Sequence, residues 1–209
     1  RSANNPSIKG RLRPSPCANR LPAHMQKQIQ KGMEIVMTQI RIGRIGSHPT
    51  VVHAVEELWK YLKRMDSSLV PDLLSYEQYD PTLTHTLWVG QDAAFASLSS
   101  KAVPDSRDDS ILIRVREGAG IITGSSPRAV LIAVYRFLTA LGCRWVRPGP
   151  DGEVIPPRSL SPAALTVETE ESASYRHRAV CIEGAVSYEH VYNMIDWLPK
   201  VGMNGYYIQ

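Results

Sequence analysis

The sequence predicts an α/β protein in which a mixed sheet carries helices on one face and is followed by a βαβ unit. Three observations support this prediction. The stretch DSILIRVREGAGIITGSSPRAVLIAVYRFLTALGCRWVRP, residues 109–148, has the pattern strand, turn, strand, helix, strand. An earlier helix carries an apolar stripe that begins with the same offsets, and the segment after residue 174 again has the order strand, helix, strand.

The first 33 residues are expected to be a disordered segment or a remnant of cloning, because they lack hydrophobic periodicity. Seven basic residues and no acidic one precede Glu34, so subtracting them from the net charge of +4 leaves −3 for the rest. A mildly acidic folded part does not indicate a nucleic-acid partner. The chain has neither a secretory h-region nor an apolar run of membrane-spanning length, so no membrane partner is predicted.

Residues 34–148 are predicted to form a compact N-terminal α/β domain. Alternation over Glu34–Ile45 predicts its first strand. Capping residues over Ser47–Thr50, with Pro49 suited to a first helical turn, predict a helix that ends at Met65. The apolar stripe of this helix comprises Val51, Val52, Val55, Leu58, Trp59, Leu62 and Met65.

The next part of this domain is predicted to be mainly loop. Ser67–Thr84 contains Pro71 and Pro81, which favour a loop. His85–Val89 is predicted to be a strand, and Ala93–Ser99 a short helix or turn.

The rest of the domain is a predicted hairpin, helix and strand. The hairpin joins Ile111–Arg116 to a return strand that begins at Ile121. Ser125 and Ser126 can accept hydrogen bonds from the first helical N–H groups, and Pro127 suits the first helical position, so a helix begins here. Gly142 suits its C-cap, and Cys143–Val146 forms a strand. A phosphate cradle is the second interpretation of the Gly-Ser-Ser sequence, but the full glycine-rich spacing with lysine is absent. The stripe of this helix comprises Val130, Leu131, Val134, Phe137, Leu138 and Leu141.

Residues 149–174 are predicted to be a linker. The segment contains four prolines and the acidic run VETEES, and Gly152–Ile155 is its one expected edge strand. Three nearby carboxylates here favour a solvated acidic linker over an acid/base pair, because nothing in the pattern buries them. These residues are Glu168, Glu170 and Glu171.

Residues 175–209 are predicted to form the βαβ unit with a parallel strand pair. Ala179–Ile182 is nearly continuously apolar, as in a parallel strand buried on both faces. Ser187 is the expected N-cap of the helix, and Met203–Gln209 is the second strand. The buried stripe of the helix is expected to comprise Val191, Met194, Ile195 and Leu198. Two strands and one helix do not make an independent core, so this unit is expected to be the truncated beginning of a second domain.

The cysteine pattern predicts neither a disulfide framework nor a metal site. Cys17, Cys143 and Cys181 are odd in number and have no paired spacing. His177 and His190 also lack metal-ligand spacing. No metal and no cofactor is therefore predicted, and the free thiols indicate a reducing, cytoplasmic location.

The final segment, YRHRAVCIEGAVSYEHVYNMIDWLPKVGMNGYYIQ, resembles the start of the TIM-barrel catalytic domain of large glycoside hydrolases. These are the α-glucuronidases, the β-N-acetylhexosaminidases and the O-GlcNAcase-like enzymes. The resemblance lies in an Arg-led strand that ends in Glu183-Gly184, in Ile195-Asp196 on the helix, and in the Lys-x-x-Met-Asn-x-Tyr-like run from Lys200. Ala179 departs from the glycine that often follows the arginine. The preceding hairpin and helix are similar to the non-catalytic domain of the same enzymes.

This resemblance implies a truncated (β/α)8 barrel in a carbohydrate-active enzyme that acts on an oligosaccharide or glycoside. The catalytic groups of such enzymes come from later barrel strands, so no catalytic residue is expected here and the chain alone is predicted to be inactive. The candidate substrate-binding residues are Arg178 and Glu183. Arg178 has an equally weighted alternative as a salt bridge between the barrel and the preceding domain, while Glu183 lies at the strand end where TIM barrels build their sites. The other class of function is a stand-alone carbohydrate-binding or structural module without enzymatic activity.

Overall fold

The fold is mixed α/β, and the computed structural model describes it over residues 39–83, 86–91, 98–99, 107–184 and 187–208. The strands of the described residues are β1 (Gln39–Ile45), β2 (Val70–Tyr76), β3 (Thr86–Gly90), β4 (Ser110–Arg116), β5 (Ala119–Gly124), β6 (Arg144–Trp145), β7 (Glu153–Val154), β8 (Val167–Ser172), β9 (Ala179–Ile182) and β10 (Gly205–Ile208). Six of them form the main sheet in the order β2-β1-β3-β5-β4-β8, in which β1, β2, β3 and β5 are parallel and β4 is antiparallel to both neighbours. The predicted mixed sheet is therefore confirmed.

Two helices, α1 (Pro49–Met65) and α2 (Pro127–Ala140), pack side by side on one face of this sheet, as predicted. Both begin where the sequence places a cap and a proline. The Ser126 hydroxyl accepts a hydrogen bond from the Ala129 amide at 3.1 Å, and the His48 imidazole accepts one from the Thr50 amide at 3.2 Å. These bonds satisfy helical N–H groups that would otherwise lack partners.

The main core lies between α1, α2 and the sheet. Its largest fully buried side chains on the two helices are Leu58, Tyr61, Leu62, Tyr135 and Phe137. Burial of this many large apolar groups is the main stabilising contribution to the fold.

The opposite face of the sheet holds a smaller buried cluster around Trp88, Ile45 and Ile121. Tyr76 and Tyr79 pack on Trp88, with ring centroids 4.8 and 5.6 Å away. Gly43 is required beside this tryptophan, because a Cβ atom there would lie 2.7 Å from Trp88 Cε3.

Two segments that composition assigned to loop and linker each contain a strand of the main sheet, so those assignments are wrong for the strand residues. β2 lies within the predicted loop Ser67–Thr84, and β2 is an edge strand, where the missing N–H of Pro71 is tolerated. β8 lies within the predicted linker 149–174 and pairs with β4.

The glutamates of β8 have cross-strand and helical partners that explain an acidic strand. Arg116 donates to Glu168, and Arg136 donates to Glu171 with a shortest distance of 2.7 Å. These cationic neighbours offset the repulsion among the carboxylates. The predicted short helix Ala93–Ser99 lies mostly outside the described residues, as does the part of the first predicted strand that precedes Gln39.

The predicted strand Cys143–Val146 is present as β6 but does not join the main sheet. It pairs in antiparallel fashion with β7, which occupies part of the predicted edge strand Gly152–Ile155. The helix before it ends at Ala140, and Gly142 follows with a φ of +108°, a conformation that favours glycine at a helix C-terminus.

The final segment forms the predicted parallel βαβ unit, here the βαβ unit of residues 179–208. It consists of β9, the helix α3 (Tyr188–Lys200) and β10, with β9 and β10 forming a two-stranded parallel sheet separate from the main one. Ser187 caps α3 by accepting a hydrogen bond from the His190 amide at 3.1 Å. The expectation of a strand buried on both faces is wrong for β9 in this structure, because Ala179 and Cys181 are exposed.

Candidate functional site

Arg178, the first candidate residue, lies immediately before β9 and points its donors at protein groups. Its guanidinium donates to the Asp109 carboxylate at 2.6 Å, the Gly202 carbonyl at 2.7 Å and the Tyr175 carbonyl at 2.8 Å. The side chain is 20% exposed. The salt bridge to the preceding domain, which was the alternative role for Arg178, is therefore present.

The partner of Arg178, the buried Asp109, is the centre of a polar group that we call the Asp109 cluster: Asp109, Arg128, Arg178 and Asn204. The Asp109 side chain is 2% exposed and accepts hydrogen bonds from Arg128 Nε at 2.9 Å, Arg178 Nη2 at 2.6 Å and Asn204 Nδ2 at 3.0 Å. A buried carboxylate is tolerated only when its lone pairs are used in this way. The cluster ties the start of β4 and the first turn of α2 to the βαβ unit.

Asn204 fixes the start of the parallel strand pair. Its side-chain oxygen accepts from the Arg178 amide at 2.9 Å, and its side-chain nitrogen donates to the Arg176 carbonyl at 2.7 Å. The Asn204 amide in turn donates to the Arg178 carbonyl at 2.9 Å. One side chain thus sets the register of β9 against β10 and also contacts Asp109.

Glu183, the second candidate residue, is exposed and follows directly after the last residue of β9. Arg178 precedes the first residue of the same strand. Because a strand rises about 3.3 Å per residue, the two Cα atoms are roughly 16 Å apart. The structure does not bring the two candidate residues together into one site.

A second polar group, the Glu153 cluster, joins α3 to α1 and β7. We define it as Tyr61, Arg64, Glu153, Asp196 and Lys200. Tyr61 and Arg64 donate to Glu153, while Lys200 donates to Glu153 at 3.1 Å and to Asp196 at 2.5 Å. The Lys200 side chain is 3% exposed, so the ammonium group depends on these carboxylates.

Hydrogen bonding controls the protonation of the Glu153 cluster. Burial raises the pKa of Glu153, but the bonds from Arg64, Tyr61 and Lys200 outweigh it and lower the pKa to about 2. Burial lowers the pKa of Lys200, and the bond to Asp196 and the interaction with Tyr61 outweigh that effect and raise it. Both groups are therefore charged across the neutral range.

An aromatic group lies beneath this cluster. The rings of Tyr61 and Tyr135 both meet Trp145 edge to face, with centroids 5.2 and 5.3 Å away. The Tyr135 hydroxyl donates to the buried Glu57 carboxylate at 2.8 Å, and the Trp197 indole donates to the Trp145 carbonyl at 2.8 Å. Burial raises the pKa of Tyr61 to about 12, so its hydroxyl stays protonated and acts as a structural donor.

A cavity of about 440 Å³ lies at the seam, which we define as the contact of the βαβ unit with the main sheet and its helices. Its walls come from α2, the start of β4, β6, the end of β8, and the end of α3 with the segment after it. It is lined by Asp109, Ile111, Ile132, Arg136, Thr139, Arg144, Trp145, Val146, Glu171, Ser172, Ala173, Arg178, Pro199, Lys200, Val201 and Gly202.

The described residues hold no group of three or more His, Cys, Asp or Glu side chains placed to bind a metal ion. None of the described helices combines the length and the apolarity that crossing a lipid bilayer requires. No protein family profile and no curated protein matches this sequence.

Sequence reasoning missed the residues that hold the seam together, namely Asp109, Asn204, Glu153 and Lys200. A signal for part of this set was present. Lys200 and Asn204 belong to the run on which the glycoside hydrolase resemblance rests, and the structure gives both of them polar contacts at the seam. Asp109 and Glu153 had no comparable signal, because their partners are distant along the chain.

Proposed function

We propose that the chain is the N-terminal portion of a carbohydrate-active enzyme, a glycoside hydrolase of the α-glucuronidase or β-N-acetylhexosaminidase-like kind. In this proposal the main sheet and its two helices are a non-catalytic domain. The βαβ unit is the first unit of a (β/α)8 barrel that acts on an oligosaccharide or glycoside.

The observation that carries the proposal is the apolar surface that the βαβ unit exposes. Tyr207 is 58% exposed, and Ile195, on the predicted buried stripe of α3, is 54% exposed. Parallel strands normally occur in sheets covered on both faces, and two strands with one helix provide too little burial for independent stability. Further parallel strands and helices would cover these side chains.

The two candidate residues take different roles in the proposal. Glu183 follows the carboxyl end of β9, where barrel enzymes place substrate-contacting groups, and its side chain is free to face a substrate. Arg178 already donates to three protein oxygens, so we assign it the positioning of β9 rather than a substrate contact.

The described residues contain no pair of groups suited to glycoside hydrolysis. That reaction needs a proton donor and a nucleophile or base on opposite sides of the scissile bond. The nearby carboxylates of β8 face Arg116 and Arg136 instead. We therefore expect the chain alone to be inactive.

A cytoplasmic location belongs to the same proposal and is supported by the free thiols of Cys143 and Cys181. Carbohydrate is the one partner proposed. No nucleic-acid or membrane partner enters the proposal, because residues 34–209 carry a formal charge of −3 and contain no apolar run of membrane-spanning length.

The test compares the 209-residue chain with a chain extended by the codons that follow residue 209. Both are assayed on aryl glucuronides and aryl N-acetylglucosaminides. We expect no turnover by the shorter chain and turnover by the longer one. A stop codon at that point, with a monodisperse product, would contradict the proposal and favour the stand-alone module.

Glu183→Gln in the extended chain tests the proposed substrate contact, with Glu189→Gln as the matched control because Glu189 is also exposed on the βαβ unit. We expect Glu183→Gln to raise KM by about tenfold while Glu189→Gln leaves it unchanged. Equal kinetics for both variants would remove Glu183 from the site. If the 209-residue chain hydrolysed a glycoside and Glu183→Gln abolished that activity, the assignment of the catalytic groups to later barrel strands would be wrong.

A further inference from the structure

We propose that the seam cavity is a binding site for a small carboxylate that carries an apolar body about the size of one ring. This inference does not depend on the glycoside hydrolase proposal, because residues of this chain alone form the cavity, from α2, β4, β6, β8 and the end of α3 with the segment after it. The three supporting observations are the form of its walls, the free donors of Arg144, and the engagement of its other charged groups.

The size and walls of the cavity suit an apolar body. Its volume of about 440 Å³ falls in the range of small-molecule sites, roughly 300–1,000 Å³. The apolar side chains that line it are Ile111, Ile132, Trp145, Val146, Pro199 and Val201. Val146 is 67% exposed, so the apolar wall continues to the open side, where a ligand would cover it.

Arg144 supplies the charge for an anion. Its Nη1 donates to the Thr139 and Cys143 carbonyls, each at 2.7 Å, at the C-terminal end of α2. No carboxylate among the described residues pairs with this guanidinium, and its Nε and Nη2 form no hydrogen bond there. These two nitrogens are the fork that binds a carboxylate through two parallel hydrogen bonds.

The remaining charged groups of the cavity are already paired. Asp109 and Arg178 bind each other, Lys200 binds two carboxylates, and Arg136 binds Glu171 through both Nε and Nη2. A sugar would need several free polar partners, and a phosphate dianion would need more than one free cation. One free guanidinium beside an apolar wall therefore favours a monocarboxylate.

The test measures binding of 3-phenylpropionate to the full chain by isothermal titration calorimetry, with 3-phenylpropanamide as the uncharged control. We expect saturable millimolar binding of the carboxylate and affinity about fivefold or more weaker for the amide. Arg144→Gln should weaken carboxylate binding by a similar factor. Arg147→Gln should not, because Arg147 is exposed, pairs with Asp151 and does not line the cavity.

Arg144 also binds the end of α2, so Arg144→Gln could weaken binding by disturbing the fold. A second variant separates these two explanations. Ala173→Leu adds bulk inside the cavity and leaves every arginine in place, so it should reduce binding of the carboxylate. The proposal is overturned by absence of saturable binding, by equal affinity for acid and amide, or by binding that survives both Arg144→Gln and Ala173→Leu. An equal loss in Arg147→Gln would overturn it as well.

Discussion

The main core and the seam are held together by different interactions. Between the main sheet and its two helices, the contacts are large apolar side chains such as Leu58, Phe137 and Ile113, all fully buried. At the seam, the βαβ unit is attached through the buried ions of the Asp109 and Glu153 clusters, together with Trp197, which packs against the main core. Apolar burial adds stability without strict geometry, whereas buried ion pairs stabilise only when every partner is in place.

The difference implies that the seam is the weaker and more specific of the two contacts. Removing one partner of a buried ion pair leaves an uncompensated charge at the seam. The resulting loss of stability is confined to that site and is larger than the loss of one neighbouring apolar contact. A contact of this kind fixes one orientation of the βαβ unit on the main sheet and its helices. In the proposed enzyme, that orientation would determine where the barrel starts relative to the domain before it.

The largest effect is expected for Phe137→Ala in the main core. Loss of this fully buried ring should lower the free energy of unfolding by about 3–5 kcal/mol, because the cavity left behind adds to the lost apolar burial. Urea denaturation followed by tryptophan fluorescence measures it. Phe137→Leu is the control and should cost less; a loss below about 1 kcal/mol for the alanine variant would contradict a tightly packed core.

The next effect is expected for Asp109→Ala at the seam. Three donors would lose their acceptor, and we expect a cost of about 2–4 kcal/mol, reduced by the partial exposure of Arg128. Limited proteolysis should then cut within 175–208 while the main sheet stays intact. Asp72→Ala is the control, since that carboxylate is 25% exposed and pairs with Arg41 of β1 rather than with the βαβ unit; equal proteolysis of both variants would contradict the assigned role of Asp109.

Lowering the pH should reduce the stability of the seam, because Glu153 becomes protonated. The pKa of this group in the folded protein is lowered to about 2, below the value of 4.5 expected when unfolded. Its contribution is therefore fully present above about pH 4.5 and is lost as the pH falls toward 2. The difference in unfolding free energy between the native chain and Glu153→Gln, measured from pH 7 to 2, should shrink over this window. A difference that stays constant would contradict the proposed charge state.

The smallest effect is expected for Arg116→Ala. This arginine and its partner Glu168 lie on the exposed side of β4 and β8, where solvent screens the pair. The urea midpoint should not change measurably. A clear loss of stability would mean that surface ion pairs contribute to the main sheet as the buried ones do to the seam.

Much of the fold follows from local sequence patterns. The hairpin of β4 and β5, the cap of α2 at Ser126 and the parallel pairing of β9 with β10 were all predicted, because periodicity and capping are encoded within a few residues. The strand assignment failed where the local pattern argued against a strand. Pro71 is tolerated in β2 because β2 is an edge strand. The glutamates of β8 are tolerated because Arg116 and Arg136, which lie far away along the chain, pair with them.

The seam was less predictable than the fold. Asp109 and Asn204 are separated by 95 positions, and Tyr61 and Glu153 by 92. No periodicity links residues at such separations. The burial of the apolar stripe of α3 was predicted correctly for Met194 and Leu198 but not for Ile195, which is exposed.

Hydrogen–deuterium exchange on the 209-residue chain tests most directly whether two different contacts hold the molecule. We expect amides of β9 and β10 to exchange about tenfold or more faster than those of β4 and β5, because the seam opens without unfolding of the main core. Asp109→Ala should widen this gap by speeding exchange in β9 and β10 alone. Equal protection of all four strands, changed equally by the substitution, would contradict the separation of core and seam.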